Sequence, residues 1–214
     1  GIDLARDEPV SIPLLPALEK LPASQVDQLL FAAGQNPAGD DLQLDLVKLP
    51  HMLVAGQTGS GKTVFLSSLI ASLAWRHKEN ELQLMLVDPK QMDFGIFETL
   101  PHLQDHRIFY EPDEAIEALR YLLEVERPRR TELIRQANCP NNLEYNRRFP
   151  DKRLPWRVVV IDEFADLILS LNKRERDDFE KQVNRLAATG RAAGIHLVIA
   201  TQRPATDVIT GTLK

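Results

Sequence analysis

The strongest constraint on this 214-residue chain is the stretch HMLVAGQTGSGKTVFLSSLI, residues 51–70. Within it Gly56, Gln57, Thr58, Gly59, Ser60, Gly61, Lys62 and Thr63 fit the spacing G-x-x-x-x-G-K-[ST]. A loop that cradles phosphates needs glycines, because its backbone must take positive φ and bring amide N–H groups close to the anion. The spacing alone also occurs in ordinary turns. Here an apolar, strand-like run precedes it and a helical run, Val64 to Trp75, follows it, so the positive end of a helix points at the same anion. Lys62 is then expected to reach the β- and γ-phosphates of ATP, and the Thr63 hydroxyl to ligate Mg²⁺.

A second constraint is RVVVIDEF, residues 157–164, whose apolar core suits a strand buried on both faces of a parallel sheet. It delivers Asp162 and Glu163 to the carboxyl end of that strand, where open α/β sheets bind ligands. Two solvated acids closing a strand are the plain alternative, and the phosphate loop in the same chain weighs against it. Asp162 is the candidate for the Mg²⁺ shell. Glu163 is the candidate for orienting and deprotonating an attacking water, which makes the reaction hydrolysis. The next buried run, IHLVIATQRP, ends on Gln202. A glutamine there is read either as a sensor of the γ-phosphate or as a buried amide bonded to backbone.

Around these landmarks strands alternate with helices, which predicts an α/β, doubly wound, mostly parallel sheet. EPVSIPLL reads as a short strand, PASQVDQLLFAAG as a short helix ending at Gly34, and NPAGDDLQLDL as a hairpin feeding a strand. LQLMLVD is a further strand. DEAIEALRYLLEVERPRRTELIRQ is a helix that begins at Asp113 and is kinked or divided by Pro128, and CPNNLEYNRRFPDKRLP is a polar loop. The single Cys139 excludes an intrachain disulfide and fits a reducing compartment. The apolar runs are too short to span a bilayer. A net charge of −5 means that any polyanion must be held by a local basic surface.

Taken together, LPHMLVAGQTGSGKT, LVDPK, LPHL, VVVIDEFADL and above all GRAAGIHLVIATQRPATDVITG resemble the motor domain of the FtsK/SpoIIIE translocases from about Gly34 to Lys214. The resemblance implies a RecA-like P-loop NTPase core. It places residues 1–33 at the end of the small domain that precedes the motor, and residues 34–214 in a motor that is incomplete at its carboxyl end. It further implies a cytoplasmic homo-hexameric ring that hydrolyses ATP to pump double-stranded DNA, tied to the membrane only through segments absent from this chain. Lys62, Thr63, Asp162 and Glu163 match the family's catalytic positions. Arg191 alone reads as a surface arginine at a helix end; the resemblance makes it an arginine finger reaching into the neighbouring subunit. Arg203 and Lys214 fall in the stretch that touches the DNA backbone. Arg147 and Arg148 fall in the other pore-facing loop, where solvated loop charges are the alternative. Such phosphate contacts carry no sequence information.

The chain departs from the family pattern after DPK, in QMDFGIFETLPHL, at the proline of VERPRRTELI and in the long connection SLNKRERDDFE. These mark a divergent member. The rival functions are a protein-secretion ATPase built on the same module and a nucleotide-gated scaffold, the latter disfavoured by the intact IDE. A metal enzyme built on His102 and His106 has the helical spacing but no catalytic carboxylate between them, so two surface histidines are preferred.

Overall fold

A computed structural model describes residues 12–23, 25 and 27–202; Arg203 and Lys214 lie outside the described residues. It opens with helix α1 (Leu14–Glu19) and an antiparallel hairpin, β1 (Leu30–Gln35) and β2 (Asp41–Asp45). Here two sequence expectations are corrected. Residues 14 and 15, expected in a strand, begin a helix, while the rest of EPVSIPLL before Ile12 lies outside the described residues. Residues 30–34, expected in a helix, are extended. The reason is tertiary: Leu29 and Phe31 are fully buried, and Phe31 meets the Phe65 ring edge-on. The helix that follows the phosphate loop also satisfies the strand's backbone at Ala32, whose N–H donates to Ser72 Oγ at 3.1 Å and whose carbonyl accepts from Ser68 Oγ at 2.6 Å. Those partners overrule the local helical pattern.

Among the described residues the main sheet has four parallel strands, β3 (His51–Ala55), β4 (Leu82–Val87), β5 (Trp156–Ile161) and β6 (Ile195–Thr201), in spatial order β3–β6–β5–β4. Register aligns their carboxyl ends. Ala55 lies opposite Thr201, Ile161 opposite Ile199, and Val87 opposite Ile161. The residues that follow, Gly56, Asp88, Asp162 and Gln202, therefore emerge along one edge.

Alternate strand residues feed two cores. Leu84, Leu86, Val158, Val160 and Val198 pack with Leu66, Leu69, Ile70 and Leu73 of helix α2 (Lys62–Arg76) and with the hairpin. Met85, Val87, Val159, Ile161, Leu197 and Ile199 face the opposite helices. On that side α3 (Pro112–Tyr121) runs through a π-helical turn, Leu122–Glu126, into α4 (Arg127–Gln136). Pro128 offers no N–H to the helical turn before it; the Leu123 carbonyl accepts from Arg127 Nε at 3.3 Å, and the helix is divided by the π turn rather than ended. The π turn buries Glu126, whose Oε1 accepts from Arg130 Nε at 2.8 Å and Arg157 Nε at 2.7 Å.

The polar segment after Cys139 is corrected as well. It contains helix α5 (Asn142–Arg148), started by the Asn141 side chain accepting the Glu144 N–H at 3.0 Å. Helices α6 (Phe164–Leu169) and α7 (Lys173–Thr189) then cross from the acidic pair back to the start of β6. No helix among the described residues is long and apolar enough to cross a membrane.

Two buried histidines make this core sensitive to acid. His196 in β6 is 1% exposed, with Nδ1 against the Pro50 carbonyl at 3.0 Å and Trp156 and His51 beside its ring. Burial pushes its pKa down to about 4, and burial does the same to His77. The unfolded chain therefore takes up these protons first. Stability is fully kept above pH 6.5 and is lost as pH falls toward 4, on the order of 3 kcal/mol per histidine. Urea midpoints measured between pH 7.5 and 4.5 should fall accordingly, and His196→Gln should flatten the slope whatever its starting stability.

Candidate nucleotide-binding site

The phosphate loop has the backbone that its glycines were expected to permit. Gly59 and Gly61 take φ of 82° and 91°, and a Cβ on Gly56 would sit 2.3 Å from Ser60 Oγ. Gly61 caps α2 with no side chain bonded over its amino end and no acidic residue in its first turn. The first N–H groups of a 15-residue helix thus face the loop, a ready place for an anion.

Lys62 reaches across to the end of β5. Its Nζ donates to the Asp162 carbonyl at 2.6 Å and to Asp162 Oδ1 at 2.8 Å, with both side chains nearly sealed from solvent. Burial raises the Asp162 pKa, Lys62 opposes that rise, and the neighbouring Asp93 adds to it. Asp162 Oδ2 is buried and has no hydrogen-bond partner among the described residues. A hydroxyl on Thr63 and an unpartnered carboxylate oxygen on Asp162 are hard donors of the kind Mg²⁺ takes. The residues present fit that ion.

Glu163 is also buried, at 2% exposed. Its Oε1 accepts from Thr201 Oγ1 at 2.7 Å, and its Oε2 accepts from the Gln202 N–H at 2.9 Å. The Gln202 side chain in turn accepts from Thr58 Oγ1 of the phosphate loop at 2.9 Å. The carboxylate expected to activate water is therefore held against the end of β6, and Gln202 connects it to the loop. Lys90, from LVDPK, forms an ion pair with Asp166 at 3.1 Å, and the charges of Asp166, Glu163 and Asp162 raise its pKa although burial opposes them.

Three residues here escaped the sequence reading. Thr201 looked like a strand end. Asp88 accepts the N–H groups of Asp93 and Phe94, both at 3.0 Å, and so shapes the next loop. Asp93 accepts the Thr63 hydroxyl at 3.2 Å.

The remaining candidates lie elsewhere. Arg191 is exposed in the turn Arg191–Ala193 that precedes β6, so the seven residues of that strand separate it from Gln202. At the usual rise this is about 20 Å. It lines a 420 Å³ cleft with Leu143, Trp156 and His196. Arg147 and Arg148 sit on α5 instead of a loop. Arg147 pairs with Asp27 at 2.6 Å and Glu144 at 2.8 Å, while Arg148 donates to the Ala137 carbonyl and lies over the Phe149 ring. Of the two histidines expected at the surface only His106 is exposed; His102 is buried, with Nε2 on the His77 carbonyl at 2.7 Å.

Residues 14–206 match the model of the FtsK/SpoIIIE family. The chain belongs to the FtsK/SpoIIIE family. It is 39% identical to the DNA translocase FtsK of Campylobacter jejuni over 218 residues, which are all of this chain and 22% of that protein. It is 37% identical over 224 residues to the DNA translocase SpoIIIE of Bacillus subtilis, again all of this chain and 28% of the relative. The chain thus spans about a quarter of the length of these relatives. Among solved structures it resembles the pCW3 conjugation coupling protein TcpA in its monomer form with ATPγS, at 32% identity and a TM-score of 0.75, covering 95% of this chain and 56% of that one. It also resembles the cytoplasmic domain of the type VII secretion ATPase EccC of Thermomonospora curvata, at 26% identity and a TM-score of 0.75, covering 97% and 25%. The fold is that of the P-loop domain of this family.

Two substitutions separate binding from turnover at this site. Lys62→Ala removes the buried cation and should weaken ATP binding in a fluorescent-nucleotide titration. Glu163→Gln keeps the acceptor for Gln202 but cannot take a proton, so ATP should bind normally while hydrolysis drops at least about a hundredfold. Wild-type turnover by Glu163→Gln would remove it from the chemistry.

Proposed function

We propose that this chain is the motor segment of a cytoplasmic, homo-hexameric translocase of double-stranded DNA driven by ATP hydrolysis, with a membrane tether only in other segments of the protein. Residues 34–214 form the motor, and residues 1–33 are the end of a smaller preceding domain. The relatives named DNA translocases support the choice of load. The observation that carries the ring is the position of Arg191, a strand's length from its own phosphate loop. An arginine so placed does not reach its own site, which supports a role in a neighbour's.

Within one subunit the residues divide the work. The phosphate loop and Lys62 hold the nucleotide, and Lys62 turns from Asp162 toward the phosphates as it does so. Thr63 and Asp162 would hold Mg²⁺, which when bound neutralises charge on the β- and γ-phosphate oxygens. Glu163 leaves Thr201 and Gln202 to orient the water and take its proton. Gln202 senses the γ-phosphate and, one residue before Arg203, moves a DNA contact as it responds. Arg203, Lys214, Arg147 and Arg148 supply backbone contacts that do not read sequence. For Arg147 this requires exchanging its pairing with Asp27 and Glu144 for phosphate.

The likeness to a secretion ATPase favours a second reading, a motor for protein. Two experiments decide. Arg191→Ala should abolish hydrolysis by the assembly without altering nucleotide affinity, and mixing it with Lys62→Ala subunits should restore activity, since one class of interface then has an intact loop and an intact arginine. Full activity of Arg191→Ala alone would exclude the trans role. Arg203→Ala in the complete motor should lower duplex-stimulated ATPase and reduce the salt slope of duplex binding by about one unit on unrelated sequences. Unchanged slope and stimulation would favour the secretion motor.

A further inference from the structure

The loop between β4 and the turn Gly95–Phe97 brings a third acid to the nucleotide site. Asp88 fixes that loop from inside: fully buried, it accepts the N–H groups of both Asp93 and Phe94, and Phe94 is itself fully buried. With its backbone so anchored, Asp93 presents its carboxylate to Thr63, whose hydroxyl donates to Oδ2 at 3.2 Å. Thr63 directly follows Lys62, which donates to Asp162 Oδ1, so consecutive residues at the head of α2 draw the two carboxylates toward one place. Asp162 has already given Oδ1 to Lys62, and its Oδ2 is buried without a partner.

Two carboxylates drawn this near each other repel unless a proton or a cation stands between them. The only cation bonded to either among the described residues is Lys62, and it is on the far oxygen of Asp162. The Thr63 hydroxyl, the Asp93 carboxylate and the free oxygen of Asp162 therefore form an all-oxygen set short of positive charge, next to the loop that takes the phosphates. Mg²⁺ is commonly held by one or two carboxylates plus phosphate oxygens and water.

We propose that Asp93 is a residue of the divalent-cation site, sharing with Thr63 and Asp162 the ion that accompanies the nucleotide. The proposal rests on the nucleotide site described above and adds to it a carboxylate from a different strand's loop. It makes cation affinity depend on the β4 loop, so that Asp88, which touches no ligand, acts as its positioning residue.

Asp93→Asn tests this with little structural disturbance, because the amide keeps an acceptor for Thr63 and the same backbone N–H while losing the charge. The probe is Mn²⁺, followed by its electron paramagnetic resonance signal, added to the chain saturated with ADP. Asp93→Asn should lower Mn²⁺ affinity about tenfold, with ADP affinity in EDTA within twofold of wild type. Asp93→Glu, which keeps the charge, should lose less than Asp93→Asn. Wild-type Mn²⁺ affinity in Asp93→Asn, or equal losses in the two variants, would overturn the assignment while leaving the nucleotide site intact. Absence of ADP-dependent Mn²⁺ binding in the wild type would instead overturn the nucleotide site itself, and the role of Asp93 with it.

Discussion

The buried pair of Lys62 and Asp162 holds the site together. It joins the phosphate loop after β3 to the end of β5, two strands that are not neighbours in the sheet. A pair this sealed is not a source of net stability, because desolvation offsets most of the attraction. Its value is positional. Removing one partner would strand the other in a dry site, which typically costs about 3–5 kcal/mol, so the loop and the acidic strand end are obliged to stay together until a better anion arrives for the lysine. In the function proposed above, the nucleotide's phosphates are that anion. Binding is then an exchange of partners for Lys62 rather than the filling of a preset hole.

The sheet was readable because its determinants are local. Four apolar runs flanked by polar loops admit few arrangements, and the phosphate loop needs glycines at fixed places. The elements that were misread depend on partners distant in sequence. Residues 30–34 have the composition of a helix and become a strand because Ser68 and Ser72 of α2 bond its backbone at Ala32 and Phe65 covers Phe31. Helix α5 lies between two prolines in a polar segment, and its one local signal is the spacing of Asn141 and Glu144 at its start.

The site divides in the same way. Residues defined by a motif, such as Lys62, Asp162 and Glu163, are candidates from spacing alone, and the structure brings them together. Thr201 and Asp93 are not, since a threonine at a strand end and an aspartate in a loop carry no signal until the fold sets one against Glu163 and the other against Thr63. The bond from Thr58 to Gln202, 144 residues apart, likewise exists only in three dimensions.

β6 is buried at each of its seven positions and hydrogen-bonded to a parallel strand on either side. Such a strand cannot bend or slip by part of a residue without breaking ladder bonds on both edges. Its turn at the amino end is clamped as well, with Arg130 donating to the Ala193 carbonyl from the buried Glu126 cluster. Gln202 and Arg191 are in effect the two tips of one stiff rod. A displacement imposed at the Gln202 tip is therefore carried whole to the turn at Arg191, and in the ring proposed above it would be felt by the next subunit, so that the order of firing would be a matter of mechanical linkage, with no messenger required beyond the strand itself.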